Sequence, residues 1–187
     1  DFAKVCPERF FDVGIAEQNM ITVSAGLATL GKHVFCSSFA IFAVGRAFEQ
    51  IRNSIAYPQL PVTIAATHAG LTVGEDGATH QAIDVAIMRA VPNMTVIVPA
   101  DAEETRQAVR QLAEYPHPAY LRLGRLAVEQ ILPADYQFQI GKGTVLRDGN
   151  DAVIFACGLM LGKALQAAEQ LAAEGINTAV VNMPTIK

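Results

Sequence analysis

No run of apolar residues in this 187-residue chain approaches the roughly 18 that a membrane span needs. The first residues, Asp1-Phe-Ala-Lys-Val5, lack the basic-then-apolar pattern of a secretory signal. Charge is sparse too. Only 17% of residues are charged and the net charge is -4, which gives no reason to expect nucleic acid or an anionic membrane as partner. The three cysteines, Cys6, Cys36 and Cys157, are scattered, odd in number and far from any metal-ligand spacing. Cys36 and Cys157 lie in apolar runs, as buried inert thiols do, and a reducing, cytoplasmic setting is expected. Internal repeats and low-complexity tracts are also missing. The chain has no starting Met and stops just after a predicted strand, so it is expected to be a fragment or the ordered part of something longer.

What is present is a core. A hydrophobic content of 51% is that of a packed globular protein, long enough for one ordinary domain and part of a second. Short β-branched or aromatic runs alternate with helical patterns. Strands are predicted at Arg9–Val13, Val34–Ser37, Val62–Ala66, Thr95–Val98 and Ala119–Leu123. Helices are predicted at Ala16–Leu30, Ala40–Ile55, Ile83–Ala90 and Ala102–Glu114. Strands apolar throughout and separated by helices imply an α/β fold, with a parallel sheet covered by helices on both faces. Leu126–Asp151, with Pro133, Gly141, Gly143 and Gly149 and no helical period, reads as a connection. A fresh unit follows: strand Ala152–Ala156, helix Leu161–Ala173, strand Thr178–Val181. The division is one domain over 1–128, a linker over 129–150 and the beginning of a second α/β domain over 151–187.

Ligands of open parallel sheets bind beyond the carboxyl ends of the strands. Three segments fall there: Gly14–Gln18, Ser37–Phe42 and Thr67–Gln81. The third is long for a βα connection. It holds Gly70, Gly74 and Gly77 with His68, Glu75, Asp76, Thr79 and His80, which suits binding of hydroxyls and phosphate, or proton transfer. Composition alone leaves open whether this is a site or a solvated polar loop. Glu17 taken alone is a carboxylate complementing a helix dipole. Phe39 and Phe42, spaced i, i+3, fit a core as well as a cofactor platform. Arg122 and Arg125 end a strand, where one could meet a phosphate. His33 and His117 stand beside strand starts with no company that suggests a role.

Together the segments resemble the pyrimidine-binding domain of thiamine-diphosphate enzymes of the transketolase type. Phe11-Asp-Val-Gly-Ile-Ala-Glu-Gln-Asn-Met20 is similar to that family's glutamate motif. Thr67-His-Ala-Gly-Leu-Thr-Val-Gly-Glu-Asp-Gly-Ala-Thr-His-Gln81 resembles its substrate loop, and Val91-Pro-Asn-Met-Thr-Val-Ile-Val-Pro-Ala-Asp101 the strand that follows. The resemblance covers Arg9 to about Arg125, and Ala152–Lys187 looks like the start of the family's C-terminal domain. It implies the thiamine-diphosphate pyrimidine-binding fold and roles for particular residues. Glu17 matches the glutamate that hydrogen-bonds N1′ of the aminopyrimidine, favouring the tautomer whose 4′-nitrogen takes the thiazolium proton. Phe39 and Phe42 match aromatics around that ring. His80 matches a residue at the reacting end of the sugar, Asp76 one at a hydroxyl, and His68 one nearer the phosphate. Arg125 is the better match for the phosphate arginine, with Arg122 close enough to leave the register open. Gly45 stands where many transketolases place a further aromatic, and Ala78 where the family usually has Pro.

The family's Gly-Asp-Gly…Asn motif, which holds the diphosphate and a divalent metal (Mg2+ or Ca2+), is not in this sequence. The resemblance therefore implies a diphosphate-binding N-terminal subunit or domain as partner, in a homodimer or heterotetramer. The implied activity is transfer of a two-carbon ketol unit between sugar phosphates. 1-Deoxyxylulose-5-phosphate synthase and the β-subunit of a 2-oxo acid dehydrogenase are alternatives on the same fold, against which Glu75 and Gln81 favour transketolase. A non-catalytic regulatory homologue is the alternative of another class, and the presence of Glu17 and His80 counts against it.

Overall fold

A computed structural model describes residues 2–80 and 83–187, so Gln81, which bears on the choice of family member, lies outside the described residues. Strands β1 (Val34–Phe39), β2 (Val62–Thr67), β3 (Thr95–Ile97) and β4 (Ala119–Arg122) form one parallel sheet in the order β1-β2-β4-β3. The pleat sends successive side chains to opposite faces. Val96 and Tyr120 enter one core while Ile97, Ala119 and Leu121 enter another. Both faces are apolar, as the unbroken hydrophobic strands require.

Helix α1 (Glu17–Thr29), a helical run α2 over 41–56 and helix α3 (Asp84–Ala90) cover the first face. Ile21, Ile51, Ile55 and Met88 are sealed there. The run α2 is not an ordinary helix. Wide i→i+5 turns over Ile41–Arg46 and Ile51–Ala56 flank the single turn Phe48–Gln50. Such turns recur at functional positions in helices. Helix α4 (Ala102–Leu112) covers the second face with Ala108 and Leu112. Its start is fixed by Asp101, which accepts the Glu104 N–H at 2.9 Å as an N-cap.

A second sheet follows: β5 (Thr144–Arg147), β6 (Ala152–Ala156), helix α5 (Met160–Ala173) and β7 (Thr178–Asn182), with strand order β5-β7-β6. Strands β6 and β7 are parallel and β5 is antiparallel to β7. Among the described residues no helix is long and apolar enough to cross a membrane.

Two sequence expectations need correction. Arg9–Val13 is not a strand: Pro7–Arg9 forms a helical turn, and the following residues lie outside any ladder, with Phe10 and Phe11 exposed. Strand propensity measures fit to a half-buried pleated surface, and among the described residues no neighbouring strand supplies one here. Nor is Leu126–Asp151 a bare connection. It contains β5, and it buries Leu132, Tyr136 and Phe138 against α4 and α5. The Tyr136 hydroxyl and the Asn182 amide (2.8 Å) both donate to the fully buried Glu104 carboxylate. That carboxylate therefore joins α4, the connection and β7. Burial pushes its pKa up, against the pull of these donors.

Candidate active site

The site forms where β1 and β2 end. Phe39 is the last residue of β1 and Thr67 the last of β2, while Glu17 opens α1 beside them. Gly14, at φ +71°, turns the chain into that helix. Although it lies at a helix start, Glu17 is only 8% exposed, so it is more than a surface charge answering a dipole. Ser38 Oγ donates to its Oε1 at 3.4 Å, and Arg46 Nη1 reaches Oε1 and Oε2 at 3.4 and 3.2 Å. Burial raises the Glu17 pKa, but its own backbone N–H, Arg46 and Ser38 outweigh that, and the carboxyl titrates below its ordinary value.

An aromatic group adjoins this carboxylate. Phe39 and Phe42 stack with centroids 6.1 Å apart, and the His68 ring lies on Phe39 at 3.9 Å. His80 meets both rings, at 5.5 Å from Phe39 and edge-on at 5.1 Å from Phe42. Arg46 closes the circle, its guanidinium carbon 4.2 Å from the Phe42 centroid. Phe39, Phe42, His68 and His80 are thus linked by direct ring contacts, and Glu17 joins them by way of Arg46. Arg46 and Ser38 were missed by the sequence reading. The signal for Arg46 was available, since it follows Phe42 by four residues on a helical run and so shares its face.

The long loop is more ordered than its composition suggests. Leu71–Asp76 makes 3-10 turns and Gly77–His80 one helical turn. Ala78 sits in the first turn of that piece, where the family's Pro would be tolerated. His68 has φ +58°, a left-handed conformation uncommon for a side-chain-bearing residue and often found at functional sites. Its Nδ1 is 2.9 Å from Thr67 Oγ1, and His80 Nδ1 is 2.6 Å from Thr79 Oγ1, so each imidazole is oriented by its preceding threonine.

Asp76 and Arg125 pair with each other. Arg125 Nη1 donates to Val73 O at 2.6 Å and to Asp76 at 3.3 Å, and Nη2 to Glu75 at 3.5 Å. Arg122 is held differently. Its Nε donates to Asp84 at 2.8 Å, and the Tyr120 hydroxyl donates to the same oxygen, also at 2.8 Å. Asp84 is 1% exposed, a buried anchor that the sequence reading also missed. The Arg122 fork lies across Gly70, where a Cβ would stand 2.6 Å from Nη2. Arg122 also lines a cleft of about 320 Å³ together with Thr72, whose buried Oγ1 has no hydrogen-bond partner among the described residues. Among the described residues no group of three or more His, Cys, Asp or Glu could hold a metal ion. Of the cysteines, Cys36 is buried and its thiol is pushed up to about 11 by burial, while the half-buried Cys157 is also raised.

A nearly buried carboxylate at a helix start, an aromatic pair and two oriented imidazoles therefore lie together beyond the ends of β1 and β2. Residues 1–130 match the profile of the transketolase pyrimidine binding domain, and residues 141–187 that of the transketolase C-terminal domain. The chain belongs to the transketolase family. It is 55% identical over 189 aligned positions to a Methanocaldococcus jannaschii protein provisionally described as a transketolase C-terminal section, covering 100% of this chain and 60% of that one. It is 42% identical to one of the subunits of the apulose-4-phosphate transketolase of Phocaeicola vulgatus, covering all of this chain and 61% of the relative. A solved structure described as a split gene transketolase, inactive beta4 tetramer, superposes with TM-score 0.91 at 57% identity, over 99% of this chain and 60% of that one. The chain thus spans about 60% of the length of these relatives.

Proposed function

We propose that this chain supplies the pyrimidine-binding and sugar-facing half of a thiamine-diphosphate-dependent transketolase, which moves a two-carbon ketol unit between sugar phosphates. The observation that carries this reading is the cluster of Phe39, Phe42, His68 and His80, to which Arg46 joins Glu17. Those residues fit the aminopyrimidine ring: Glu17 is a nearly buried carboxylate able to share a proton at N1′, and Phe39 and Phe42 offer aromatic faces for stacking. When bound, the cofactor supplies the carbon nucleophile that accepts the ketol unit. Glu17 sets the protonation of the ring. His80, held by Thr79, moves protons at the reacting end of the sugar, Asp76 meets a hydroxyl, and His68 lies toward the phosphate.

Of the two arginines, Arg125 is occupied with three acceptors of the loop, so it also shapes the loop that carries Asp76. Arg122, which lies across Gly70 and lines one cleft with the Thr72 hydroxyl, is the competing phosphate residue. The pair is separated by KM. Alanine at the phosphate-reading arginine raises KM for phosphorylated sugars and leaves unphosphorylated analogues unchanged.

The diphosphate and its Mg2+ or Ca2+ would be held by a partner subunit or domain, in a homodimer or heterotetramer. The description of the solved relative as an inactive tetramer of one subunit type is consistent with such a need. The test is reconstitution of the full chain with its diphosphate-binding partner, cofactor and magnesium, on a ketose phosphate donor and an aldose phosphate acceptor. No gain in turnover over either subunit alone sinks the proposal. Turnover of pyruvate in place of the ketose phosphate moves the assignment to 1-deoxyxylulose-5-phosphate synthase or a 2-oxo acid dehydrogenase.

A further inference from the structure

We propose that Arg46 is an internal stand-in for the cofactor's aminopyrimidine ring, occupying its recognition surface until thiamine diphosphate displaces it. The inference rests on the reading of Glu17 and Phe42 as that surface. A guanidinium is planar, carries N–H donors along its edge and stacks on aromatic faces. Those are the properties by which a carboxylate and a phenyl ring would recognise a protonated aminopyrimidine. Arg46 makes both contacts at once: its Nη1 lies 3.2 and 3.4 Å from the two Glu17 oxygens, and its Cζ lies 4.2 Å from the Phe42 centroid.

Chemistry explains why an occupant is needed. Glu17 is 8% exposed, and a nearly buried carboxylate without a cation or donor is costly. The ring that would complete its partners is not part of the chain, so beside the Ser38 hydroxyl Arg46 supplies the cation in the interval. The hold is loose enough to be exchanged. Arg46 is itself 51% exposed, and its bonds to Glu17 are longer than the 2.7–2.9 Å usual for charge-assisted pairs. Gly45, immediately before it, adds no side chain to obstruct a swing outward.

An occupant that must leave lowers apparent affinity by the fraction of chains in which it has left. One half-exposed ion pair and one half-exposed cation–π contact correspond to a penalty on the order of three- to tenfold.

The experiment is calorimetric titration of the full chain, assembled with its diphosphate-binding partner, comparing the unaltered protein with Arg46→Ala and Arg46→Lys. Thiamine diphosphate is expected to bind Arg46→Ala on the order of three- to tenfold more tightly. Arg46→Lys keeps the charge without the planar face, and should fall between; it carries the test if the alanine variant fails to assemble. Inorganic diphosphate, which has no pyrimidine, should bind all three alike, an outcome that a general loosening of the structure would not give. Equal or weaker cofactor binding by Arg46→Ala overturns the proposal while leaving the cofactor reading intact. No cofactor binding by any assembly, the unaltered one included, overturns the cofactor reading and this proposal with it.

Discussion

Replacing Glu17 with alanine separates two readings of that carboxylate, helix-start charge and cofactor partner, because their magnitudes differ. As a charge at the start of α1 it contributes about 0.3–1 kcal/mol. Its pair with Arg46, a side chain 51% exposed, adds no more than about 1 kcal/mol. The stability cost is therefore on the order of 1–2 kcal/mol, and at roughly 2–4 °C per kcal/mol for a domain of this size the melting temperature falls by only a few degrees. As the proton partner of the cofactor ring it has a larger effect, since a positioned acid or base contributes about 10²–10⁴-fold in rate. The assay is a pair of measurements on the reconstituted enzyme: thermal melting with partner co-purification, and ketol transfer at saturating cofactor. Glu17→Ala is expected to fold and assemble while losing roughly a hundredfold or more in turnover. Unchanged turnover refutes the role given to Glu17. Loss of turnover together with loss of assembly refutes the claim that its structural share is small.

Asp84→Ala leaves the Arg122 guanidinium and the buried Tyr120 hydroxyl without their common acceptor. Breaking a buried pair from one side costs about 3–5 kcal/mol, read as a lower urea midpoint, and a loss below about 1 kcal/mol contradicts the anchor role. Gly70, at φ +82° and ψ -169°, occupies a region essentially reserved for glycine, and an added methyl meets Arg122 Nη2. Gly70→Ala should cost about 1–3 kcal/mol and displace the Arg122 fork, checked by melting and by KM for the phosphorylated substrate. The lowered Glu17 pKa fixes a pH sign. Its contribution to stability is present above the ordinary carboxylate range and is lost as pH falls through the lowered native value. Carbon-detected NMR titration should place Glu17 below a free glutamate, and Arg46→Ala should move it upward.

The sheet was legible because its strands, such as Val62–Thr67, are apolar on both faces, and the helices because Ala102–Leu112 and Glu17–Thr29 carry clean boundaries. The wide turns of α2 left no mark, since a period of 3.6 and a locally wider one predict the same buried face. Strand β5 was hidden among glycines because its partner β7 lies more than thirty residues away, and only the ladder makes it a strand. Within the site, Glu17, the phenylalanines and the loop histidines could be read from motif order. Arg46 and Asp84 could not be assigned partners that way, because the carboxylate and guanidinium they meet lie 29 and 38 positions off in sequence.

The strand wrongly expected at Arg9–Val13 points to what the site still needs. Phe10, Phe11 and Ile15 are 50%, 64% and 92% exposed, immediately before the buried Glu17. Apolar residues this exposed, in a segment that leads into the proposed cofactor contact, fit a surface that a partner covers. In this segment, of strand composition but outside any ladder, the Phe10 and Gly14 amides have local acceptors, and the strand pairing the rest of its backbone could make waits for a neighbour. On assembly with the diphosphate-binding partner, the amides of Phe11, Asp12, Val13 and Ile15 should pass from loop-like hydrogen exchange to protection, while those of α5 and β7 stay unchanged. Equal exchange rates in the free chain and the active assembly would place the partner elsewhere. The disagreement over this strand would then be a matter of local sequence alone.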